Sequence, residues 1–217
     1  MKHSWCLAGA LVVSLTACAH GSPSRIATVA IAATPCDRPS ARLGVGTVVG
    51  DGLVLTAAHV VEDDLRDVAV DGRPARVVLL DTRTDAAVLA FDPPIESGAT
   101  MADDIAVADA VRIVTPTEVF DTTVRRIVTL SVDDATDDVV HRRAALVLDG
   151  TVPAGTSGAP VVDNDGRVVG MITVSHTVRD VTYATRTGEL QKVMEAVPAL
   201  GHDSVTRSSL AAQKPCA

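Results

Sequence analysis

Three side chains of this 217-residue chain have the types and surroundings that nucleophilic acyl chemistry requires. Ser157 lies in PAGTSGAPVV (residues 153–162), between Gly155 and Gly158. A serine hydroxyl is a weak nucleophile. It becomes useful when a base takes its proton, a third group orients the base, and donors meet the charge that develops. His59, in LTAAHVV (residues 55–61), is the candidate base. Of the histidines after residue 17, it alone is embedded in an apolar segment; His20, His141, His176 and His202 stand in polar or charged surroundings. Asp85, in DTRTDAAVLAF (residues 81–91), is the candidate orienting group, with Asp81 as the alternative in the same segment. Asp85 is preferred because an apolar strand begins directly after it, and an isolated buried carboxylate is costly unless paired.

Taken together, the three residue types could pass a proton from Ser157 to His59 while Asp85 holds the imidazole tautomer and stabilises the imidazolium; they stand in the order His, Asp, Ser. The glycines then acquire roles. Gly155 lets the backbone bend so that its N–H and that of Ser157 converge as an oxyanion hole, worth about 3 kcal/mol per donor. Gly158 leaves open the face from which a carbonyl would approach.

The elements that must position these residues read mostly as strands. LGVGTVV and LVLTAA flank Gly50-Asp51-Gly52, a hairpin signal, and ARVVLLD and AAVLAFD follow. Pro93-Pro94 interrupts the pattern, and residues 96–104 read as a connection between two halves. AVRIVT, TTVRRIVTLSV, AALVLDG, the hairpin PVVDNDGRVVGMITV and VTYAT continue the strand character. GELQKVMEAV places Leu190, Val193, Met194 and Val197 at spacings of three and four, a terminal amphipathic helix. Short strands, frequent turns and one closing helix predict an all-β barrel or sandwich.

The motifs resemble those of the trypsin-like (chymotrypsin-fold) serine peptidases, in their bacterial exported and Deg-type branch. LTAAHVV is similar to the family's T-A-x-H motif at Thr56, Ala57 and His59, TDAAVLAF to its Asp-x-Ala-x-Leu segment at Asp85, and GTSGAP to its G-x-S-G-G-P motif at Ser157. GRVVGMITV resembles the hairpin that follows, and TYAT the Deg-type ending. The resemblance spans residues 43–197. It implies two six-stranded antiparallel β-barrels with a C-terminal helix, the site lying in the cleft between barrels. It also implies a serine endopeptidase whose substrate pocket is lined by Thr151, Val152, Thr173, Val174 and Ser175, all neutral, so that small or medium apolar residues are favoured. Departures are Ala159 in place of the second motif glycine, Thr156 in place of the aspartate before the serine, the lack of an Ile-Val-Gly-Gly start, and no following PDZ-like domain. The zymogen switch of the family is therefore not expected. A non-catalytic envelope lipoprotein binding peptides or a partner on the same fold, and an esterase with the same triad, are the competing readings.

The ends suggest export. Lys2 precedes a mostly apolar run over residues 7–16, too short for a membrane span of about 20 residues. Leu15-Thr16-Ala17-Cys18 resembles the lipobox of bacterial lipoproteins, which implies lipidation at Cys18; Ala17-Cys18-Ala19 also fits ordinary signal cleavage. The expected organisation is a signal peptide over 1–17, a Ser/Pro/Ala-rich tether over 18–40, a peptidase domain over 41–200 (first barrel 41–104, second barrel and helix 105–200) and a polar tail over 201–217. The expected location is the cell envelope, lipid-anchored on the extracytoplasmic side, or the secreted fraction. Lys2 is the only charged side chain of residues 1–17, so their removal takes the net charge from −8 to −9, which disfavours nucleic acid as a partner. In an exported protein the two remaining cysteines, Cys36 and Cys216, are candidates for a disulfide, the alternative being two free thiols. Residues 133–138 read as a solvated acidic loop rather than a calcium site, and neither zinc motifs nor a phosphate-binding glycine loop occur, so no metal or cofactor is expected. The partner expected beyond the membrane anchor is a protein or peptide substrate.

Overall fold

The computed structural model describes residues 26–50, 52–92, 98–133, 140–199 and 216. The signal peptide, Cys18, the first part of the tether, residues 134–138 of the acidic loop and all of the tail but Cys216 lie outside the described residues.

Among the described residues, twelve strands form two closed barrels. The first contains β1 (Thr28–Pro35), β2 (Arg42–Gly50), β3 (Leu53–Thr56), β4 (Leu65–Val70), β5 (Arg73–Asp81) and β6 (Ala86–Phe91), in the order β1-β2-β3-β6-β5-β4. The second contains β7 (Ala110–Val114), β8 (Val119–Asp133), β9 (Val140–Asp149), β10 (Pro160–Val162), β11 (Val168–His176) and β12 (Val181–Arg186), in the order β10-β11-β12-β9-β8-β7. Every strand pair within the barrels is antiparallel. Closure leaves no unpaired sheet edge, and each barrel fills with its own inward side chains. Val29, Ile31, Val54, Leu89 and Phe91 are buried in the first, and Ile113, Leu146, Leu148, Val161 and Ile172 in the second. These are the paired six-stranded barrels that the sequence motifs implied.

Three features depart from the sequence reading. Residues 28–35, placed in the tether of 18–40, instead form β1, which pairs with both β2 and β4 and closes the first barrel. Its inward residues Val29, Ile31 and Ala33 are buried, but its outward ones include Ala30 and Ala32, so the alternation carries little hydrophobic contrast. β4, LRDVAV, escaped notice for a related reason: two charged residues interrupt its apolar positions. The terminal helix α2 (Thr187–Ala199), grouped by position with the second barrel, buries Leu190, Val193 and Val197 in the apolar cluster of the first. Met171 from β11 joins the same cluster, so helix and barrels pack as one body.

Cys36 and Cys216 form a disulfide with 5.3 Å between their Cα atoms, at a sequence separation of 180. Cys36 follows β1 directly, and its N–H donates to Asp64 O at 2.9 Å beside the start of β4. Among the described residues no helix is long and apolar enough to cross a membrane.

Candidate active site

His59 lies on α1 (Ala58–Val61), a single turn that leaves the end of β3. Ala57 and Ala58 are fully buried, and the turn fits there because both are small. Asp85 ends the β5–β6 connection with φ +54°, a left-handed conformation that costs a non-glycine residue energy and that aspartate tolerates better than most. The turn carries the carboxylate back to α1. Oδ1 accepts the His59 backbone N–H at 3.0 Å, and both carboxylate oxygens lie 3.0 Å from His59 Nδ1. With an acceptor at Nδ1, the neutral imidazole carries its proton there and leaves the Nε2 lone pair free, the tautomer a general base needs. The hydrogen bond to Asp85 is the main reason the His59 pKa is raised above its ordinary value; burial opposes it, and the charges of Asp85 and Glu62 reinforce it. Asp81, the alternative carboxylate, instead accepts from the Arg83 backbone and side chain and does not approach His59.

Ser157 comes from the second barrel, on the loop between β9 and β10. Its carbonyl accepts from Val45 N–H on β2 at 2.8 Å, so the loop that carries Ser157 is bonded directly to the first barrel. Gly158 makes that docking possible. Its φ is +88°, and a Cβ there would lie 2.0 Å from Val45 O and 2.5 Å from Thr56 Oγ1. Thr56 Oγ1 donates to that same Val45 carbonyl at 2.8 Å, three residues before His59. The sequence TAAH and the glycine after Ser157 are thus two sides of one contact, which packs the loop that carries Ser157 against the segment that leads to His59. No hydrogen bond joins the Ser157 hydroxyl to His59 among the described residues; in unliganded sites such bonds are often loose and tighten with substrate.

The loop sorts its backbone donors. Thr156 N–H donates to Pro153 O, Gly158 N–H to Ile172 O and Ala159 N–H to Thr156 O. The N–H groups of Gly155 and Ser157 have no acceptor among the described residues, and Gly155 has φ +89°. Two free N–H groups flanking Thr156 are what an oxyanion hole at Gly155 and Ser157 requires.

The five pocket residues do not behave alike. Val152 N–H donates to Ser175 Oγ at 3.2 Å, that hydroxyl lies 3.3 Å from Thr182 Oγ1, and Thr182 Oγ1 donates to Gly150 O at 2.9 Å. The two walls expected to flank a substrate side chain are therefore laced together. Thr173 is buried, with its hydroxyl on Tyr183 O, while Val174 is 51% exposed and Thr151 faces solvent. Two other concavities, of about 440 and 630 Å³, lie beside Leu79, Arg83 and Lys192 and beside Thr28, Arg112 and Pro116; neither is lined by His59, Asp85 or Ser157. Among the described residues no three His, Cys, Asp or Glu side chains group as a metal site would.

One residue at the site escaped the sequence reading. Arg143, on β9, is 8% exposed, and its Nη2 lies 3.9 Å from Asp85 Oδ2. Its Nε and Nη1 are buried without a hydrogen-bond partner among the described residues. A buried donor left unmet costs about 1–3 kcal/mol. Burial lowers the Arg143 pKa, and the charge of Asp85 acts the other way. The signal was available in HRRAALVLD: period-2 alternation places Arg143 on the face of Ala145 and Val147, both buried.

Comparison with known proteins bears on the family and the fold. Residues 44–171, more than half of the chain, match the family described as trypsin-like peptidase domain. The magnetosome formation protease MamE of Magnetospirillum gryphiswaldense is 29% identical over 160 residues, 67% of this chain; the chain spans about a fifth (20%) of that relative's length. The Rv3671c protease of M. tuberculosis in its active form superposes with a TM-score of 0.71 at 22% identity, covering 78% of this chain and 80% of that one. The HtrA-type protease AlgW with a tripeptide superposes with a TM-score of 0.64 at 22% identity, covering 81% and 60%. At such identities the structural likeness is one of fold, and the family match with the paired barrels carries the assignment: the chain belongs to the trypsin-like peptidase family.

Proposed function

We propose that the protein is an exported serine endopeptidase that works through His59, Asp85 and Ser157. The observation that carries the reading is the hold of Asp85 on His59, through both the ring Nδ1 and the backbone N–H, which leaves the Nε2 lone pair for a base's work. In the first half-reaction Ser157 Oγ attacks the peptide carbonyl while its proton passes to His59 Nε2. The oxyanion of the tetrahedral intermediate takes the free N–H groups of Gly155 and Ser157. Collapse breaks the C–N bond, His59 returns the proton to the departing amine, and an ester to Ser157 remains. Water then attacks that ester with His59 again as base, releasing the acid and restoring the hydroxyl.

The Val152–Ser175–Thr182 lacing leaves little depth for the residue before the cut, and the expected pocket residues carry no charge. The substrate is therefore a protein or peptide with a small apolar residue at that position. Export follows from the N-terminal run and Cys18, with the enzyme held at the envelope by lipid on Cys18. Fatty-acid labelling lost in Cys18→Ala tests the anchor, and an unlabelled wild type makes the protein freely secreted.

A fluorophosphonate probe tests the central reading. Labelling that disappears in Ser157→Ala is the expected result. A well-folded wild type that takes no label would instead make the protein a peptide-binding module on this fold. Comparing hydrolysis of an unstructured protein with that of simple esters separates a peptidase from an esterase.

A further inference from the structure

We propose that Arg143 is a positioning residue of the triad: its guanidinium reaches across from the second barrel, shares the Asp85 carboxylate with His59, and limits how strongly that carboxylate favours the imidazolium. The inference rests on reading His59 as the general base, and it assigns a role to a residue outside the triad, the oxyanion loop and the pocket.

The geometry is that of one anion between two cations. Asp85 Oδ2 lies 3.0 Å from His59 Nδ1 and 3.9 Å from Arg143 Nη2, on opposite barrels. Arg143 is too buried to be neutralised by solvent, and two of its nitrogens lack partners, so Asp85 is its one counter-charge among the described residues. Other charges near His59 are accounted for. Glu62 follows on the same turn and favours the imidazolium. Arg42, from β2, donates to His59 O and pairs with Asp63, and it disfavours the imidazolium. On the far side, Glu189 of α2 accepts the Ala144 N–H beside Arg143 but is paired with Lys192. None of these touches the Asp85 carboxylate.

Protonating His59 would therefore set two cations within about 7 Å of each other. At an effective dielectric constant near 20 that repulsion corresponds to about 1.7 pH units. Solvent reaches the imidazole, whose side chain is 38% exposed, and screens the effect to roughly one pH unit. Asp85 and Glu62 raise the basicity of His59 and Arg42 opposes the rise; the Arg143 guanidinium opposes it from the other side of Asp85. The consequence is a base that stays unprotonated, and so usable, to lower pH than the Asp–His pair alone would allow.

The test is a titration of the assigned His59 ring signals by NMR in a Ser157→Ala background, with and without Arg143→Met, paired with pH profiles of kcat/KM in the Ser157 enzyme. Removing the guanidinium is expected to move the His59 midpoint and the acidic limb of kcat/KM upward together by about one pH unit. Arg143→Lys, which keeps a cation, is expected to hold both near the parent values. If Arg143→Met does not fold, Arg143→Gln carries the same expectation. A neutral substitution that folds and leaves the His59 midpoint unmoved would overturn the proposal. The NMR titration needs no turnover, so a protein that hydrolyses nothing would sink the peptidase reading while this measurement still decides the role of Arg143.

Discussion

Gly158 is the position where the site's assembly can be challenged most directly. It holds φ +88°, and the space its missing side chain would occupy contains Val45 O at 2.0 Å, Thr56 Oγ1 at 2.5 Å and Ala57 N at 3.1 Å. In Gly158→Ala the left-handed conformation costs about 1–2 kcal/mol, and forcing a methyl into packed atoms costs about 1–3 kcal/mol more. The neighbours are backbone and a buried hydroxyl, so they cannot swing aside. The loop that carries Ser157 has to retreat by about 1.4 Å, the gap between 2.0 Å and the 3.4 Å at which ordinary contact begins, and a displacement of about an ångström at a reacting group already costs on the order of 100-fold in rate. Gly150→Ala is the matched control: its φ is +78°, but a Cβ there meets nothing within 4 Å, so it incurs the conformational cost alone. The expected outcome is a loss of roughly 2–5 kcal/mol by urea unfolding and of about 100-fold in kcat/KM for Gly158→Ala, with Gly150→Ala losing about 1–2 kcal/mol and little activity. A Gly158→Ala enzyme as stable as Gly150→Ala and within threefold of wild-type kcat/KM would show that the Val45–Thr56 contact does not set the serine, and the account of the site would fail.

Other consequences follow from the same contacts. As a general base His59 has to be neutral, and its pKa is raised, so kcat/KM should fall as pH drops through an apparent value above about 6.5; a flat profile from pH 5 to 8 would refute the assignment. The same shift has the opposite sign for folding: the His59–Asp85 contribution to stability is fully present below about pH 6.5 and is lost as pH rises through the folded value, so Asp85→Asn should flatten that dependence in urea titrations. Opening the Cys36–Cys216 bridge by Cys36→Ser frees a loop of 180 residues, and the chain-entropy model expects about 5 kcal/mol of destabilisation, read as a lower urea midpoint with an intact kcat at low denaturant. Ser175→Gly removes the hydroxyl between Val152 and Thr182 and should broaden the preferred residue before the cut from small toward larger apolar ones in a peptide library; an unchanged profile would place the pocket elsewhere.

Much of the second barrel was legible because its strands are long apolar runs set off by turns, and α2 because Leu190, Val193, Met194 and Val197 keep one face. The first barrel was read only in part. β1 and β4 are strands by virtue of their partners: small alanines in one and exposed charges in the other blur the alternation, and closure of the barrel, not local preference, holds them in place.

The sequence alone determined which side chains could do the chemistry. A histidine in an apolar turn, an aspartate opening a strand and a serine between glycines each carry their reactivity in their type and immediate neighbours, and their order along the chain narrows the mechanism. The tertiary structure alone decided where they stand. The Val45–Ser157 backbone bond, the fit of Gly158 against Thr56, the Val152–Ser175 lacing and the approach of Arg143 to Asp85 join residues far apart in the chain. Such contacts leave no trace in local periodicity, because hydrogen bonds and charges act through distance in space and the fold sets that distance.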